Sequence, residues 1–546
     1  MFILLGGLWF VRGIKQILFW LFLWQLKDYH LPRFVDHFRT HKGKRLVFNY
    51  INAIKIFLLL IFVSLPAQAA QGLVFSYAVS ALFVIYLAEL ILFFKSILKK
   101  KAKRPVFTLK MAFLSAITFV SVIALLLWIL SLNDFFQPIL FLAFDILTPV
   151  VISAIVLLFQ PAFVLLRNNI LKRAALKLEK VKSVGGTKVI AITGSYGKTS
   201  TKEFLTTILS AKYRVLSTKE HQNSEIGVAK CILSELKPSH RVFIAEVGAY
   251  DKGKVKEVCR MLKPKIGIIT GVNEQHLALF GSMENLLSAE GGLELAESLV
   301  EGGILVANGD NKYCVDLLKR AQKPSRGLRL LYSLSNKTVD PEIWSDSITV
   351  EKDHISFLAL NKAGEMAPFV VKVLGKHNVQ NLLGAILLAH KLGMSFGEIA
   401  EAVKKIRPEQ GGMVVKKGKQ SLDIIDSSYS ANPDGVLADL DYLDLFKNKK
   451  IIVMPCLIEL GEKSAAIHQK IGRKIGQVCD LAIVTTKDSF NDLEKGFNET
   501  KKPNARCLLC DNAQDAYSAV TLFAEAGSAV LLEGRVPDAL INLLCE

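Results

Sequence analysis

Cysteine is sparse and unorganised in this chain, with eight residues scattered over 546. The single C-x-x-C, Cys507 to Cys510, lies in the apolar run RCLLC and has no second pair, which argues against a four-ligand zinc site. The cysteines read instead as core thiols of a reducing compartment. Basic stretches interleaved with aromatics are also missing, so no nucleic-acid partner is expected, although the formal net charge is +19. The first apolar stretch, residues 1–26, lacks a small-residue cleavage site at its end and is followed by further apolar runs, so no cleavable signal peptide is expected. Charge is absent from residues 66–72 and reduced to one acid in residues 131–137.

Apolar residues are abundant, at 51% of the chain, with a mean hydropathy of +0.35. The excess sits in the first third. Residues 51–67, 73–94, 112–132 and 138–166 each approach the roughly 20 apolar residues needed to cross a bilayer. Residues 1–26 carry Arg12 and Lys15 near their middle and could either span or lie in the interface. Between these stretches, basic segments (27–45, 95–110 and the run after 166) alternate with the uncharged or weakly acidic links. Under the positive-inside rule the basic segments face the cytoplasm. The expected organisation is therefore a membrane domain over residues 1–170, with four or five transmembrane helices, membrane lipid as a partner and everything beyond 170 cytoplasmic. The competing reading, buried core helices of a soluble protein, does not explain the alternating basic flanks.

From about Val184 the pattern changes to short β-branched runs (KVIAIT, RVFIAEVG, KIGIIT, GILVAN, IIVMP, LAIVTT, SAVLLEG) separated by amphipathic helical stretches. Such alternation predicts a doubly wound parallel sheet, with ligands at the strand ends. The sharpest motif is VIAITGSYGKTSTKEF, residues 189–204, in which a strand enters Gly194-Ser195-Tyr196-Gly197-Lys198-Thr199-Ser200 and leaves as a helix. Glycines let backbone N–H groups approach a polyphosphate, and the helix N-terminus adds positive potential. Lys198 would reach the β- and γ-phosphates of ATP and Thr199 would ligate Mg²⁺. The spacing is two residues shorter than the general phosphate-loop pattern.

Six further segments follow this loop in order: Asn223 with Ile226-Gly227-Val228; FIAEVGAYDKGKV with Glu246; ITGVNEQHLALFGS with His276; LGKHNVQNLLGAI with Gly375, His377, Asn378 and Asn381; IIDSSYSANPDG; and MPCLIELGEKSAAIH. With the short loop T-G-S-x-G-K-T-S-T-K-E, they resemble the Mur ligase family of bacterial cell-wall synthesis, most closely its D-alanyl-D-alanine-adding branch, from about residue 185 onward. The resemblance implies a P-loop-type central domain (184–405) and a smaller Rossmann-like α/β C-terminal domain (408–546). It implies ATP and Mg²⁺ as cofactors, with Thr199, Glu246, His276 and Glu290 at the metal. Lys198, Glu246, His276 and Glu290 would serve catalysis. Asn308, Asn378, Asn381, Asp426, Tyr429 and Asn432 would join the loop in holding the nucleotide. Taken alone, Glu246 ends a strand at the loop's edge and suits Mg²⁺, while Asn378 and Asn381 share a helix face and could read an adenine.

Three departures from the family accompany the likeness. Glu290, in LLSAEGGLEL, stands where many members have a carbamylated lysine. Gly411-Gly412-Met413 lacks the arginine of G-R-M, and Glu533-Gly534-Arg535 replaces K-G-S-R. The largest difference is the apolar first third, in place of a uridine-nucleotide-binding domain. The expected function is an ATP-dependent amide-bond ligase at the bacterial cytoplasmic membrane. It would activate the carboxylate of a cell-wall peptide precursor as an acyl phosphate and add an amino acid or dipeptide as the amine. The same chemistry on a lipid-linked or non-murein substrate, and a non-catalytic ATP-binding membrane scaffold, remain as alternatives.

Overall fold

The computed structural model describes every residue except 28, 67–71, 99–102, 220–221, 322–326, 338, 430 and 546. Parts of two loops read above, 67–71 and 99–102, therefore lie outside the described residues. Chain contacts divide the protein into two compact units, Met1–Leu166 and Arg167–Glu546.

In the first unit, among the described residues, five helices are long and apolar enough to cross a membrane: Phe2–Leu26, Gly43–Ser64, Leu73–Leu98, Leu109–Leu130 and Phe136–Leu158. At 1.5 Å per residue even 22 residues reach about 33 Å, beyond the roughly 30 Å hydrocarbon layer. The stretch left open by the sequence, Phe2–Leu26, packs along Leu73–Leu98, Leu109–Leu130 and Phe136–Leu158. Its Arg12 is tolerated because Glu89 (2.9 Å) and Asp145 take the guanidinium. The stretch read as one span over 138–166 is two helices, Phe136–Leu158 and Gln160–Gly185, broken at Phe159. Pro161 falls in the first turn of the second helix, where its missing N–H costs no intrahelical bond.

The second unit holds two sheets. Strands β1 (Lys188–Thr193), β2 (Val215–Ser217), β3 (Val242–Glu246), β4 (Ile266–Ile269), β5 (Ile304–Asn308), β6 (Leu328–Ser333), β7 (Ile343–Val350), β8 (Ile355–Asn361) and β9 (Met366–Val371) lie in the order β2-β3-β1-β4-β5-β6-β7-β8-β9. Pairing is parallel from β2 through β7 and antiparallel from β7 to β9. The sheet is thus mixed rather than wholly parallel. Residues 351–354 between β7 and β8 are too few for a crossover helix and close a hairpin instead. Alternate residues of β1 serve opposite faces: Ile190 and Ile192 pack with the helices around Phe204 and Leu383, and Val189 and Ala191 with those around Ile232 and Val258.

The second sheet runs β10-β11-β15-β12-β13-β14, from β10 (Val414–Lys417), β11 (Asp423–Ser427), β12 (Lys450–Met454), β13 (Leu481–Val484), β14 (Arg506–Leu509) and β15 (Ala529–Glu533). Only its β10 edge is antiparallel. All eight cysteines are free, and Cys507 and Cys510 belong to β14 and the residue after it. In the first sheet, β1 lies between β3 and β4. That reversal of strand order opens a crevice at the carboxyl ends of these strands.

Candidate active site

The crevice is lined by the loop that leaves β1. Gly194 (φ 143°) and Gly197 (φ 74°) hold backbone angles that L side chains rarely adopt, and a Cβ at Gly197 would lie 2.4 Å from Asn381 Oδ1. The helix Lys198–Ser210 begins at once, so its first N–H groups point back over the loop. Ser195 and Tyr196 form the loop's turn, and Ser200 lies in the first helical turn. Lys198 Nζ donates to the carbonyls of Gly194 (2.5 Å) and Ser195 (3.3 Å). The Tyr196 hydroxyl accepts from Asn311 Nδ2 (3.2 Å), and burial pushes its ionisation up.

Glu246 closes the other wall. Its Oε2 accepts from Thr199 Oγ1 (3.1 Å) and its Oε1 from Asn223 Nδ2 (3.1 Å). Lys202, whose side chain is fully buried, brings Nζ within 3.6 Å of Oε2. Lys202 lies within the loop motif but was not singled out by sequence reasoning. The buried Lys202 beside this carboxylate, with Thr199 and Asn223, holds it in register with the loop.

His276 sits in the left-handed region (φ 67°) at the start of Leu277–Phe280. Its Nδ1 lies 3.2 and 3.3 Å from the two oxygens of Glu290, and its Nε2 lies 3.7 Å from Glu459 Oε2. Burial alone would push the Glu290 carboxyl up; the charge and hydrogen bond of His276, joined by Lys198 and Ser195, outweigh it and hold Glu290 low. The same balance raises His276: burial disfavours the imidazolium, but Glu290 and then Glu459 favour it more strongly. Glu459 was also missed. It comes from the loop after β12 and adopts φ 68°, a conformation with no sequence signal. That loop is tied down by His468, whose Nε2 accepts from Leu457 N (3.0 Å) while Nδ1 meets the Ser464 carbonyl (2.8 Å). The serine and histidine of the E-L-G-x-x-S-x-x-x-H segment therefore support the loop that carries its glutamate.

The remaining expected residues fall into two groups. Asn308 donates to the Thr270 carbonyl (2.9 Å) and accepts from Asp310 N (2.9 Å), which shapes the turn after β5. Asn432 caps the helix Pro433–Leu443 and accepts from Asn273 Nδ2 (3.1 Å), while Asp434 takes the same amide at 3.0 Å. Gln275 adds a bond to the Ala431 carbonyl (3.0 Å). Loops of the two sheets thus meet beside His276. Asn378 departs from expectation: it is buried, and its amide protons go to the carbonyls of Leu374 (2.8 Å) and Gly411 (3.1 Å). It clamps backbone and has no proton left for an adenine. Asn381 donates to Asn378 Oδ1 (3.1 Å) and turns its own oxygen to the loop. Asp426 is drawn to Lys416 (2.7 Å) and Ser428, and Tyr429 is half-exposed beyond β11.

The four expected metal residues form two pairs. Thr199 and Glu246 present hard oxygens 3.1 Å apart at the loop's exit, a fit for Mg²⁺, which takes few protein ligands and keeps waters and phosphate oxygens. His276 and Glu290 hold each other, and among the described residues no three His, Cys, Asp or Glu converge as a metal cage.

Residues 192–389 match the Mur ligase middle domain, and residues 413–536 the Mur ligase glutamate ligase domain. The UDP-N-acetylmuramoyl-tripeptide--D-alanyl-D-alanine ligase of Borreliella burgdorferi is 32% identical over 345 residues, 62% of this chain and 70% of the relative. This chain belongs to the Mur ligase family. The Bacillus subtilis enzyme of the same name is 28% identical over 298 residues, 53% of this chain and 60% of its own length, so this Mur ligase spans about three fifths of that relative. The crystal structure of a MurF ligase from Thermotoga maritima in complex with ADP shares the Mur ligase fold, with a TM-score of 0.57 and 21% identity over 69% of this chain and 83% of that one.

Proposed function

We propose that this Mur ligase is an ATP-dependent amide-bond ligase acting on a cell-wall peptide precursor at the cytoplasmic face of a bacterial membrane. The observation that carries the reading is the convergence of Lys198, Thr199 and Glu246 on one loop at the reversal of strand order. Family membership and the ADP named for the Thermotoga structure support ATP as the nucleotide. The central sheet is read as P-loop-type and the C-terminal sheet as Rossmann-like, with domains at 1–170, 184–405 and 408–546.

The loop amides and the N-terminus of Lys198–Ser210 would cradle the phosphates, and Lys198 would neutralise charge on the transferred group. Mg²⁺ held by Thr199 and Glu246 would supply further charge neutralisation there. Lys202 and Asn223 keep Glu246 oriented. The precursor's carboxylate attacks the γ-phosphorus, ADP leaves, and an acyl phosphate forms. The amine of an amino acid or dipeptide then attacks the acyl carbon; phosphate departs, and the proton shed by the amine leaves with it. Most of the rate comes from positioning and preorganised charge. His276, held between Glu290 and Glu459, would orient the end of the site where the C-terminal loops meet the central ones. Asp426, Tyr429 and Asn432 would meet the nucleotide from the C-terminal side.

The apolar helices of the first unit favour a second reading, the same chemistry on a lipid-linked precursor. Phosphate release by the full-length protein in detergent, screened over nucleotide-linked and lipid-linked carboxylates with D-alanyl-D-alanine and single amino acids, decides between them. ATP binding with no release on any pair of substrates would sink both readings and leave an ATP-binding scaffold.

A further inference from the structure

The helical unit carries a polar layer between two apolar ones. Toward one end pack Leu5, Phe62, Phe75 and Phe141, and toward the other Trp24, Phe34, Met111 and Val156. Between them, Arg12, Lys55, Glu89 and Asp145 come from four different helices and form a closed square. Arg12 binds Glu89 (2.9 Å) and Asp145, and Lys55 binds Glu89 (2.8 Å) and Asp145 (2.7 Å). The side chains of Lys55 and Asp145 are each 1% exposed. In its hydrogen-bonding orientation Gln16 joins the square, donating to Asp145 (3.1 Å) and accepting from Arg12 (3.2 Å). Ionisable groups at such depth are costly in a bilayer and usually mark a functional path or site.

A cavity of about 310 Å³ opens beside this square, on the side of the basic segment 27–45. Gln16, Glu89 and Asp145 form its floor, Asn52 and Arg45 its mouth, and Phe19, Trp20 and Ile146 an apolar wall. The size is that of a small-ligand pocket. Charge decides the kind of ligand. Three cations, Arg12, Lys55 and Arg45, stand against two carboxylates, which leaves one positive charge. It belongs to Arg45, which is exposed and pairs with no acid among the described residues. The floor carboxylates are already compensated, so they offer acceptors for hydroxyl groups rather than a net negative potential. Pro149, on the same wall, has no N–H to give the Asp145 carbonyl, which adds an acceptor at that depth. A cation at the mouth, charge-compensated acceptors below and an apolar side wall are complementary to an anionic, hydroxylated amphiphile.

We propose that this cavity binds the phosphate-bearing headgroup of a membrane lipid, with the phosphate at Arg45 and hydroxyl groups toward Glu89 and Asp145. The cavity lies within the first unit, and its test needs no turnover.

The test is calorimetric titration of the full-length protein in neutral detergent with dioctanoyl phosphatidylglycerol, dioctanoylglycerol and inorganic phosphate. Expected is saturable one-to-one binding of the phosphatidylglycerol, weakened at least tenfold by Arg45→Gln, less by Arg45→Lys, and under threefold by Arg104→Gln, a basic-loop change outside the cavity. Brominated phosphatidylglycerol should quench a tryptophan signal that Trp20→Phe removes. Equal losses from Arg45→Gln and Arg104→Gln would reduce the effect to general surface charge and overturn the site. Dioctanoylglycerol binding as tightly would overturn phosphate recognition. Inorganic phosphate binding as tightly would mean a free-anion site and overturn the lipid.

Discussion

Lys198 rests on two backbone carbonyls of its own loop, so its charge is held within reach of whatever the loop amides bind. Lys198→Ala should lower substrate-dependent phosphate release by about a hundredfold or more, the scale of a lost charge-assisted contact in the transition state, with folding unchanged by circular dichroism. Release at the wild-type rate would remove Lys198 from the phosphate site. Glu290 faces His276 rather than solvent, and Lys198 and Ser195 also bear on it. A side chain already anionic has no carbamate to form, so activity should not respond to bicarbonate, and Glu290→Gln should slow turnover and raise the Mg²⁺ requirement. The same pair shapes stability. The raised His276 contributes fully below its unfolded value, near 6.5, and loses its contribution as pH rises through its folded value; the lowered Glu290 contributes fully above 4.5 and loses it as pH falls through its folded value. Thermal unfolding should therefore show the largest gap between wild type and Glu290→Gln, about 2 kcal/mol, between those limits. A gap that does not change with pH would mean the pair is not charged.

Among the elements, the helix Phe2–Leu26 is tied by one residue to two of the three helices it packs along. Arg12 links it to Leu73–Leu98 through Glu89 and to Phe136–Leu158 through Asp145. Arg12→Leu strands buried carboxylates and should cost about 3 kcal/mol or more, read as a lower temperature for loss of monodisperse protein in detergent. The double change Arg12→Leu with Asp145→Leu leaves Lys55 paired with Glu89 and should recover most of that loss. If the double variant is as unstable as the sum of the two single changes, the square does not act as a unit. The loop after β12 shows the same economy: His468 spends both ring nitrogens on backbone so that Glu459 can hold a left-handed conformation beside His276.

At the scale of the whole molecule, the distribution of basic segments makes a topological claim. A reporter fused after Glu546 is expected to behave as cytoplasmic and one inserted at Ala70 as external; both positions lie outside the described residues. The opposite pattern would separate the phosphate loop from cytosolic ATP and end the proposed function. The mixed central sheet carries a related lesson. The run of βα units was legible because short, continuous β-branched runs alternate with amphipathic helices, whereas the turn to antiparallel pairing at β7–β9 depends on a short connection that composition does not mark.

Much of the site could be read because phosphate loops are local devices: Gly194, Gly197, Lys198 and Thr199 act through consecutive backbone and one helix start, so their spacing carries the chemistry. The membrane-length runs were legible for the same reason, since span length is a property of contiguous sequence. Tertiary structure alone decided the rest. Lys202 belongs to the loop motif, but only the sheet, by burying it against Glu246, gives it a place in the site. Asn378, which helix spacing offered as a base reader, is drawn to the carbonyls of Leu374 and Gly411 once packing leaves them without other partners. Arg12, Lys55, Glu89 and Asp145 lie up to 133 residues apart, and only helix packing makes four separate liabilities into one neutral square. Charge pairing over such separations depends on distance in space, which no local pattern of residues encodes.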